Sequence, residues 1–199
     1  MQDSSQMNIQ VDPHDQIAEY VAAFFGGSAR GIVDKDTNTG TEVLILRSDN
    51  CPMEGVSSYS TVGLSDKTVE IDGKIFDFGV EICGASQTCF DSFVKLLGDI
   101  ALNVKEGIWI AAEHTVFPDL IQKYYPHSEM KHVLMVTPGM WDEDFGDYTF
   151  DHKRVIWLMM VPISTAEFEY TLANGVYPLE DLFVDQQIDV FDLERRSVI

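Results

Sequence analysis

Residues 154–163 read RVIWLMMVPI, and Arg154 is the only charged residue among them. An apolar run of this length, rich in Val and Ile, is typical of a strand that is buried on both faces. Residues 131–137, KHVLMVT, have the same character. The two segments therefore predict strands at the centre of a sheet.

Helical signals follow residues 154–163. Ser164 and Glu167 form an S-x-x-E capping box, in which each side chain satisfies a backbone donor of the first helical turn, and Gly175 is expected to end the helix. A short helix over 179–187 and a last strand within 188–199 are predicted next. The apolar residues of that last strand are Ile188, Val190, Phe191 and Leu193.

Towards the N-terminus the pattern changes to short runs of β-branched and aromatic residues separated by turn formers. Asp72-Gly73 separates two of these runs and favours a tight hairpin, because both central residues of a type I′ turn need positive φ. The predicted strands are ARGIVD (29–34), EVLILRS (42–48), SSYSTVGLS (57–65), TVEID (68–72) and KIFDFGVEICG (74–84). Strands that follow one another this closely indicate mainly antiparallel pairing.

Two further helices are predicted. Asp12 is a suitable N-cap with Pro13 at the first helical position, and Gly26 follows the apolar stripe of that helix. Apolar residues at three- and four-residue steps predict a second helix within 87–106, ended by Gly107.

The order of elements predicts an α+β or mixed α/β fold, with a central mixed, largely antiparallel sheet flanked by helices. No repeat or linker interrupts residues 12–199, which we expect to form one domain. Residues 1–11 are polar and aperiodic, and are expected to be a flexible lead-in.

The charge of the chain limits the classes of partner. Its 199 residues include 33 Asp and Glu but only 13 Lys and Arg, which gives a formal net charge of −20. Nucleic acid and anionic membranes bind proteins through Lys and Arg, so direct binding to either is not expected. A basic protein is the favoured partner. Three cysteines without a CxxC pair, and no signal peptide or membrane span, indicate a cytoplasmic protein.

Motifs for catalysis are mostly absent. The chain contains no phosphate-binding loop or nucleophile elbow, and the tripeptide Asp77-Phe78-Gly79 lacks the other kinase motifs. An EF-hand beginning at Asp142 would place Asp147 where glycine is required and Lys153 where the bidentate Glu is required. We therefore predict no catalytic residue, no metal and no cofactor. A nucleophilic thiol at Cys51 is an alternative that the sequence leaves open.

The acidic residues are segregated along the chain. No Lys or Arg occurs between Val155 and Glu194, and a second base-free stretch covers 132–152. The eight acids of the first stretch are Glu167, Glu169, Glu180, Asp181, Asp185, Asp189, Asp192 and Glu194. Charges that served solubility alone would be interspersed, so segregation predicts a continuous negative face.

Aromatic residues lie between the acids of the second stretch. Trp141, Phe145 and Tyr148 follow Pro138-Gly139, which predicts a loop between two strands. Exposed aromatic side chains surrounded by charge are typical of binding hot spots. The alternative is that these rings lie beneath the loop as part of the core.

Four segments together resemble bacterial Suppressor of fused (SUFU) domain proteins, and within that family the YqcF-type antitoxins. The segments are EGVSSYSTVGLSD (54–66), MKHVLMVTPGMW (130–141), VIWLMMVPIS (155–164) and IDVFDLERRSVI (188–199). The resemblance extends from about Ile17 to the C-terminus. It implies a mixed sheet flanked by helices and no catalytic residue.

The resemblance also implies an immunity function, in which the protein binds and neutralises a cognate toxin, typically the nuclease domain of an LXG-type polymorphic toxin. A nuclease attracts polyanions through a basic cleft, which an acidic protein can occupy. The resemblance does not identify the interface, so we predict it from charge. The predicted contact residues are Trp141, Asp142, Glu143, Asp144 and Asp147.

Two other functions remain open. A regulatory module of this family would sequester a protein partner by adding its peptide as a strand to a sheet edge. A small hydrolase would use Cys51 as its nucleophile.

Overall fold

A computed structural model describes residues 12–26, 28–71 and 73–199. The predicted lead-in, 1–11, and Asp72 of the predicted hairpin turn lie outside these residues. The strands are β1 Arg30–Lys35, β2 Glu42–Asp49, β3 Val56–Val62, β4 Val69–Ile71, β5 Lys74–Phe76, β6 Gly79–Gln87, β7 Val116–Phe117, β8 Met130–Val136, β9 Asp147–Thr149 and β10 Arg154–Ser164. The helices are α1 Pro13–Phe25, α2 Phe93–Lys105, α3 Thr165–Asn174 and α4 Tyr177–Asp185.

The main sheet has the order β1-β2-β3-β6-β10-β8-β7, and β9 pairs with the first residues of β10. β10 and β6 are parallel, whereas the other pairs of this sheet are antiparallel. The prediction of a mixed, largely antiparallel sheet flanked by helices is confirmed. β10 lies well inside the sheet, as its apolar sequence predicted.

Both faces of the sheet are covered. Along β10, Trp157 and Met159 belong to a core that contains the buried residues of α1, while Leu158 and Met160 belong to a second core built around α2. Successive side chains of a strand point to opposite faces, so an apolar run can serve both cores. This explains why β10 is buried from Val155 onwards, apart from the partly buried Ile156.

The predicted helix ends are also confirmed. Asp12 Oδ1 accepts a hydrogen bond of 2.8 Å from the His14 backbone N–H, and Gly26 ends α1 in the left-handed conformation with φ 63°. At α3, Ser164 Oγ accepts from the Glu167 N–H at 3.0 Å, and Glu167 Oε2 accepts from the Ser164 N–H at 2.8 Å.

Two strand predictions need correction. Residues 74–84 do not form one strand, because the chain bends at Asp77 and Phe78 between β5 and β6, and β4 and β5 form a separate two-stranded sheet.

The predicted last strand is wrong, because 188–199 contains turns and no strand. The carboxylates of Asp189 and Asp192 accept hydrogen bonds from the backbone N–H groups of Phe191 and Glu194, at 2.9 and 2.8 Å. Such local bonds compete with sheet pairing.

The C-terminal segment is instead held by a buried ion pair. Arg195 Nη1 and Nη2 donate to the two carboxylate oxygens of Glu167 at 2.7 and 2.9 Å. The Arg195 side chain is 5% exposed and the Glu167 side chain 0%. Glu167 was counted among the acids of a predicted negative face, and that assignment is wrong because its carboxylate is buried.

The residues that the structure describes include no helix with the length and apolar character needed to cross a membrane.

Candidate partner-binding surface

The predicted contact residues lie on the segment that follows β8. We call it the loop 137–147, and its last residue, Asp147, is also the first residue of β9. Two of the loop's aromatic rings face inwards. Phe145 is buried, and Trp141 is half-buried, stacked on Phe25 with ring centroids 5.1 Å apart. The indole Nε1 of Trp141 donates to Ser58 Oγ of β3 at 2.8 Å. The rings therefore fix the loop to the sheet, and the exposed aromatic residue is Tyr148, at 46%.

Helix α1 supports the same loop. The ring of Tyr20 lies among those of Phe145, Tyr148 and Trp157, with centroids 4.7 to 5.9 Å away. Its hydroxyl donates to the backbone carbonyl of Asp144 at 3.0 Å, and burial raises the pKa of this phenol. The loop thus has a defined conformation on which its acids are displayed.

The four acids of the loop are not equivalent. Asp142, Glu143 and Asp144 are exposed, and Asp142 Oδ1 accepts from the Asp144 N–H at 3.0 Å, as in an Asx turn. Asp147 forms a two-point ion pair with Arg154, with distances of 2.9 and 2.5 Å. The hydrogen bond from Arg154 lowers the pKa of Asp147. The charge of Asp147 is therefore compensated locally.

A cavity of about 390 Å³ opens beside this loop. We call it the carboxylate cleft. Its acidic lining residues are Glu113, Glu143, Asp144 and Asp147, and its apolar ones include Pro138, Phe145, Ile156 and Leu158. Glu113 is held by a hydrogen bond of 2.6 Å from Thr137 Oγ1 to its Oε1. Glu113 was not predicted from the sequence, because it precedes the loop by 24 residues and belongs to neither base-free stretch.

Helix α4 lies next to the cleft. The ring of Tyr177 meets that of His114 edge-on, with centroids 4.8 Å apart, and His114 follows Glu113. Burial raises the pKa of Glu180. The nearby His114 lowers this pKa, and the negative charges of Glu113 and Asp181 raise it. These carboxylates are therefore close enough to repel one another.

One stripe of α4 combines apolar and acidic residues. Tyr177 is 67% exposed, Val184 is 75% exposed, and Asp181 between them is also exposed. Residues spaced four and three apart lie on one face of a helix. We call these three residues the α4 face. Large exposed apolar side chains beside charges are the composition expected at an interface.

A larger cavity, of about 600 Å³, lies between the β4–β5 hairpin and residues 107–111. Its walls include Val69, Trp109 and Ile110, together with the opposite charges of Glu70 and Lys67. It therefore lacks the one-sided charge of the carboxylate cleft.

The remaining chemical candidates are weak. No three His, Cys, Asp or Glu side chains within the described part of the chain are arranged to hold a metal ion. Cys51 is buried, and burial raises the pKa of its thiol, which disfavours the thiolate that a nucleophile needs.

Comparisons with known proteins agree on one family. The family described as Suppressor of fused protein (SUFU) matches residues 40–196. Immunity protein YqcF of Bacillus subtilis (strain 168) is 34% identical over 183 residues, which are 92% of this chain and 95% of the relative.

The solved structures share the fold at low identity. A SUFU homologue from Neisseria gonorrhoeae has a TM-score of 0.73 at 15% identity, covering 94% of this chain and 97% of that one. The Sufu–Fu complex has a TM-score of 0.63 at 12% identity, covering 94% of this chain and 92% of that one. Drosophila Suppressor of Fused has a TM-score of 0.61 at 14% identity, covering 94% of this chain and 51% of that one. Sequence and fold agree: this chain belongs to the SUFU family.

Proposed function

We propose that this protein is an immunity protein that binds and neutralises a cognate toxin in the cytoplasm. The observation that carries the proposal is the similarity to immunity protein YqcF, which covers nearly the full length of both chains. Because that relative is 34% identical, its function is better supported here than that of the more distant solved structures.

The proposed toxin is basic, and we infer a nuclease domain of an LXG-type polymorphic toxin. A nuclease must attract a polyanion, so its active cleft is positive and complements a protein with a net charge of −20. Occupying that cleft would exclude the nucleic acid, which neutralises the toxin without any catalysis by the immunity protein.

The loop 137–147 is the proposed centre of the interface. Asp142, Glu143 and Asp144 carry exposed charge and attract the toxin during approach. Trp141 holds the loop in place through its bond to Ser58 and contributes contact area only through its exposed edge. Asp147 contributes less to attraction, because Arg154 already compensates its charge.

Co-expression tests the immunity function. Each toxin domain encoded beside this gene would be expressed in cells with and without the protein, and survival measured. We expect one toxin to kill only the cells that lack the protein. If every neighbouring toxin kills equally in both strains, or none binds the purified protein, the immunity function is rejected.

Association kinetics test the interface. The triple variant D142N/E143Q/D144N should associate with the toxin about 10-fold more slowly at low salt, with a weaker dependence on salt. The matched control is E54Q/D77N/D91N, which removes the same number of exposed carboxylates elsewhere. Equal rates for the two triple variants would remove the loop from the interface.

A second candidate function is peptide sequestration by strand addition. The specific observation is β1, which lies at the end of the main sheet and pairs only with β2 among the described strands. Val33 of β1 is 62% exposed. Binding that survives D142N/E143Q/D144N but is abolished by Val33→Pro would favour this function, because proline removes a backbone donor.

A further inference from the structure

Helix α4 carries apolar residues on two opposite sides. Leu179 is buried and Phe183 is half-buried, and both belong to the core that also contains the buried residues of α1. At about 3.6 residues per turn, Tyr177, Asp181 and Val184 point away from that side of the helix. The core therefore needs Leu179 and Phe183, but it does not account for the two apolar side chains of the α4 face.

Tyr177 is held in place before any partner arrives. Its ring meets that of His114 edge-on, with centroids 4.8 Å apart, although the residue is mostly exposed. A side chain that is already ordered loses less conformational entropy on binding, and tyrosine is enriched among the residues that dominate binding energy. Tyr177 is therefore suited to anchor a partner.

The spacing of the two apolar residues matches a helix. Tyr177 and Val184 are seven residues apart in α4, which places them two turns apart on one side and about 10 Å apart along the helix axis. Two helices pack when the side chains of one fit between those of the other, and apolar residues recur every seven residues along such contacts. A helix with an apolar stripe of the same spacing is therefore the element that fits this face.

The charges around the α4 face have one sign. Asp181 lies between the two apolar residues and Asp185 follows them, and both are exposed. No Lys or Arg occurs between Val155 and Glu194. The ion pairs among the described residues involve neither Asp181 nor Asp185. Lys or Arg beside the apolar stripe of a partner helix would complement these two carboxylates.

The α4 face lies beside the candidate surface on the loop 137–147. His114 contacts Tyr177 and directly follows Glu113. Glu113 lines the carboxylate cleft together with acidic residues of the loop. One partner can therefore contact the loop and the α4 face at the same time.

We propose that the α4 face binds an amphipathic helix of the protein partner whose apolar stripe is bordered by Lys or Arg. The inference rests on the proposed function and extends it by naming the structural element that this second part of the interface recognises. Apolar side chains of the partner helix pack between Tyr177 and Val184, and its basic residues meet Asp181 and Asp185.

The first test uses no toxin. The ¹⁵N-labelled protein is titrated with a peptide of leucine and lysine patterned as an amphipathic helix, and with a control peptide of the same composition whose order forms no apolar stripe. We expect saturable shifts of the Asp181, Val184 and Asp185 amide signals with the patterned peptide only, and their loss in Y177S/V184S. Equal shifts with the two peptides, or shifts unchanged in the double variant, would overturn the proposal.

The second test uses the toxin identified by co-expression. The replaced side chains are exposed, so Y177S/V184S should nearly keep the urea midpoint of the parent protein while toxin binding becomes at least about 10-fold weaker. Val184→Ser alone, which retains the contact between Tyr177 and His114, should weaken binding in the same direction. The matched control is I75S/I108S, which removes two exposed apolar side chains elsewhere and should leave affinity unchanged.

Photocrosslinking identifies the occupant of the face. With p-benzoylphenylalanine at position 184, the complex is irradiated and the crosslinked segment is identified by mass spectrometry. We expect a crosslink to a helix of the toxin that carries Lys or Arg beside apolar residues. A crosslink to a second copy of this protein, or to a toxin segment that is not a helix, would contradict the proposal.

The two hypotheses can fail separately. Binding of the patterned peptide at the α4 face without protection in the survival assay would reject the immunity function and retain the face. Protection with full affinity in Y177S/V184S would retain the immunity function and reject the face.

Discussion

Replacing Arg195 with methionine should strongly destabilise the protein. Arg195 donates to both oxygens of Glu167 and, through Nη2, to the Pro162 carbonyl at 2.8 Å. The same carboxylate accepts from the backbone N–H groups of Ser164 at 2.8 Å and of Val198 at 3.0 Å. One ion pair therefore joins the end of β10, the start of α3 and the C-terminal segment.

The magnitude follows from burial. Methionine fills similar space but leaves the Glu167 carboxylate, which is 0% exposed, without its cation. Removing one member of a buried ion pair costs about 3–5 kcal/mol, a large part of the ~5–15 kcal/mol that stabilises a typical domain. The double variant E167Q/R195M should lose less than Arg195→Met alone, because no unpaired charge remains and the amide oxygen of the glutamine can still accept from the Ser164 N–H.

Urea denaturation followed by circular dichroism measures these differences, and a neighbouring residue provides the control. Arg196 is exposed, so Arg196→Met should change the free energy of unfolding by less than about 0.5 kcal/mol. Equal midpoints for Arg195→Met and Arg196→Met, or a double variant less stable than Arg195→Met, would refute the role assigned to the buried ion pair.

Three further predictions follow from other contacts. The buried carboxylate of Glu81 accepts hydrogen bonds from Thr61 Oγ1 and from the backbone N–H groups of residues 63–65. Glu81→Gln should therefore lower the free energy of unfolding, measured by chemical denaturation, by about 2 kcal/mol. An unchanged midpoint would contradict this. Burial lowers the pKa of His132 from 6.5, so the unfolded chain gains a proton first as the pH falls. Stability should therefore begin to drop as the pH falls past the unfolded-state value of 6.5, and less steeply in His132→Gln; parallel curves would refute the assignment. Asp147→Asn should slow toxin association less than Asp144→Asn, because Arg154 compensates Asp147, and stopped-flow rates in the opposite order would contradict the assigned roles.

Local signals predicted most of the fold. The capping box at Ser164 and Glu167 and the apolar pattern of β10 depend on residues close in sequence, and both are present in the structure. The last strand was predicted wrongly from the apolar residues between Ile188 and Leu193. An apolar side chain can pack into the core from a turn as well as from a strand, so the apolar pattern did not distinguish the two. The segment is held by Arg195, whose partner Glu167 lies 28 residues away in the sequence.

The candidate surface was less predictable for the same reason. The run of acids around Asp142 is visible in the sequence, and it does lie on a loop. Its neighbour Glu113 reaches the cleft only because β7 and β8 pair and Thr137 follows β8. Burial of Trp141 likewise depends on Phe25 and Ser58, which no sequence pattern connects to it.

The separation of roles within the loop 137–147 has an evolutionary consequence. Trp141 and Phe145 fix the backbone, whereas Asp142, Glu143 and Asp144 make little contact with the core, so the three acids can be exchanged at little cost in folding. A duplicated gene could therefore acquire specificity for a different antagonist through a few point mutations, without first needing a more stable scaffold.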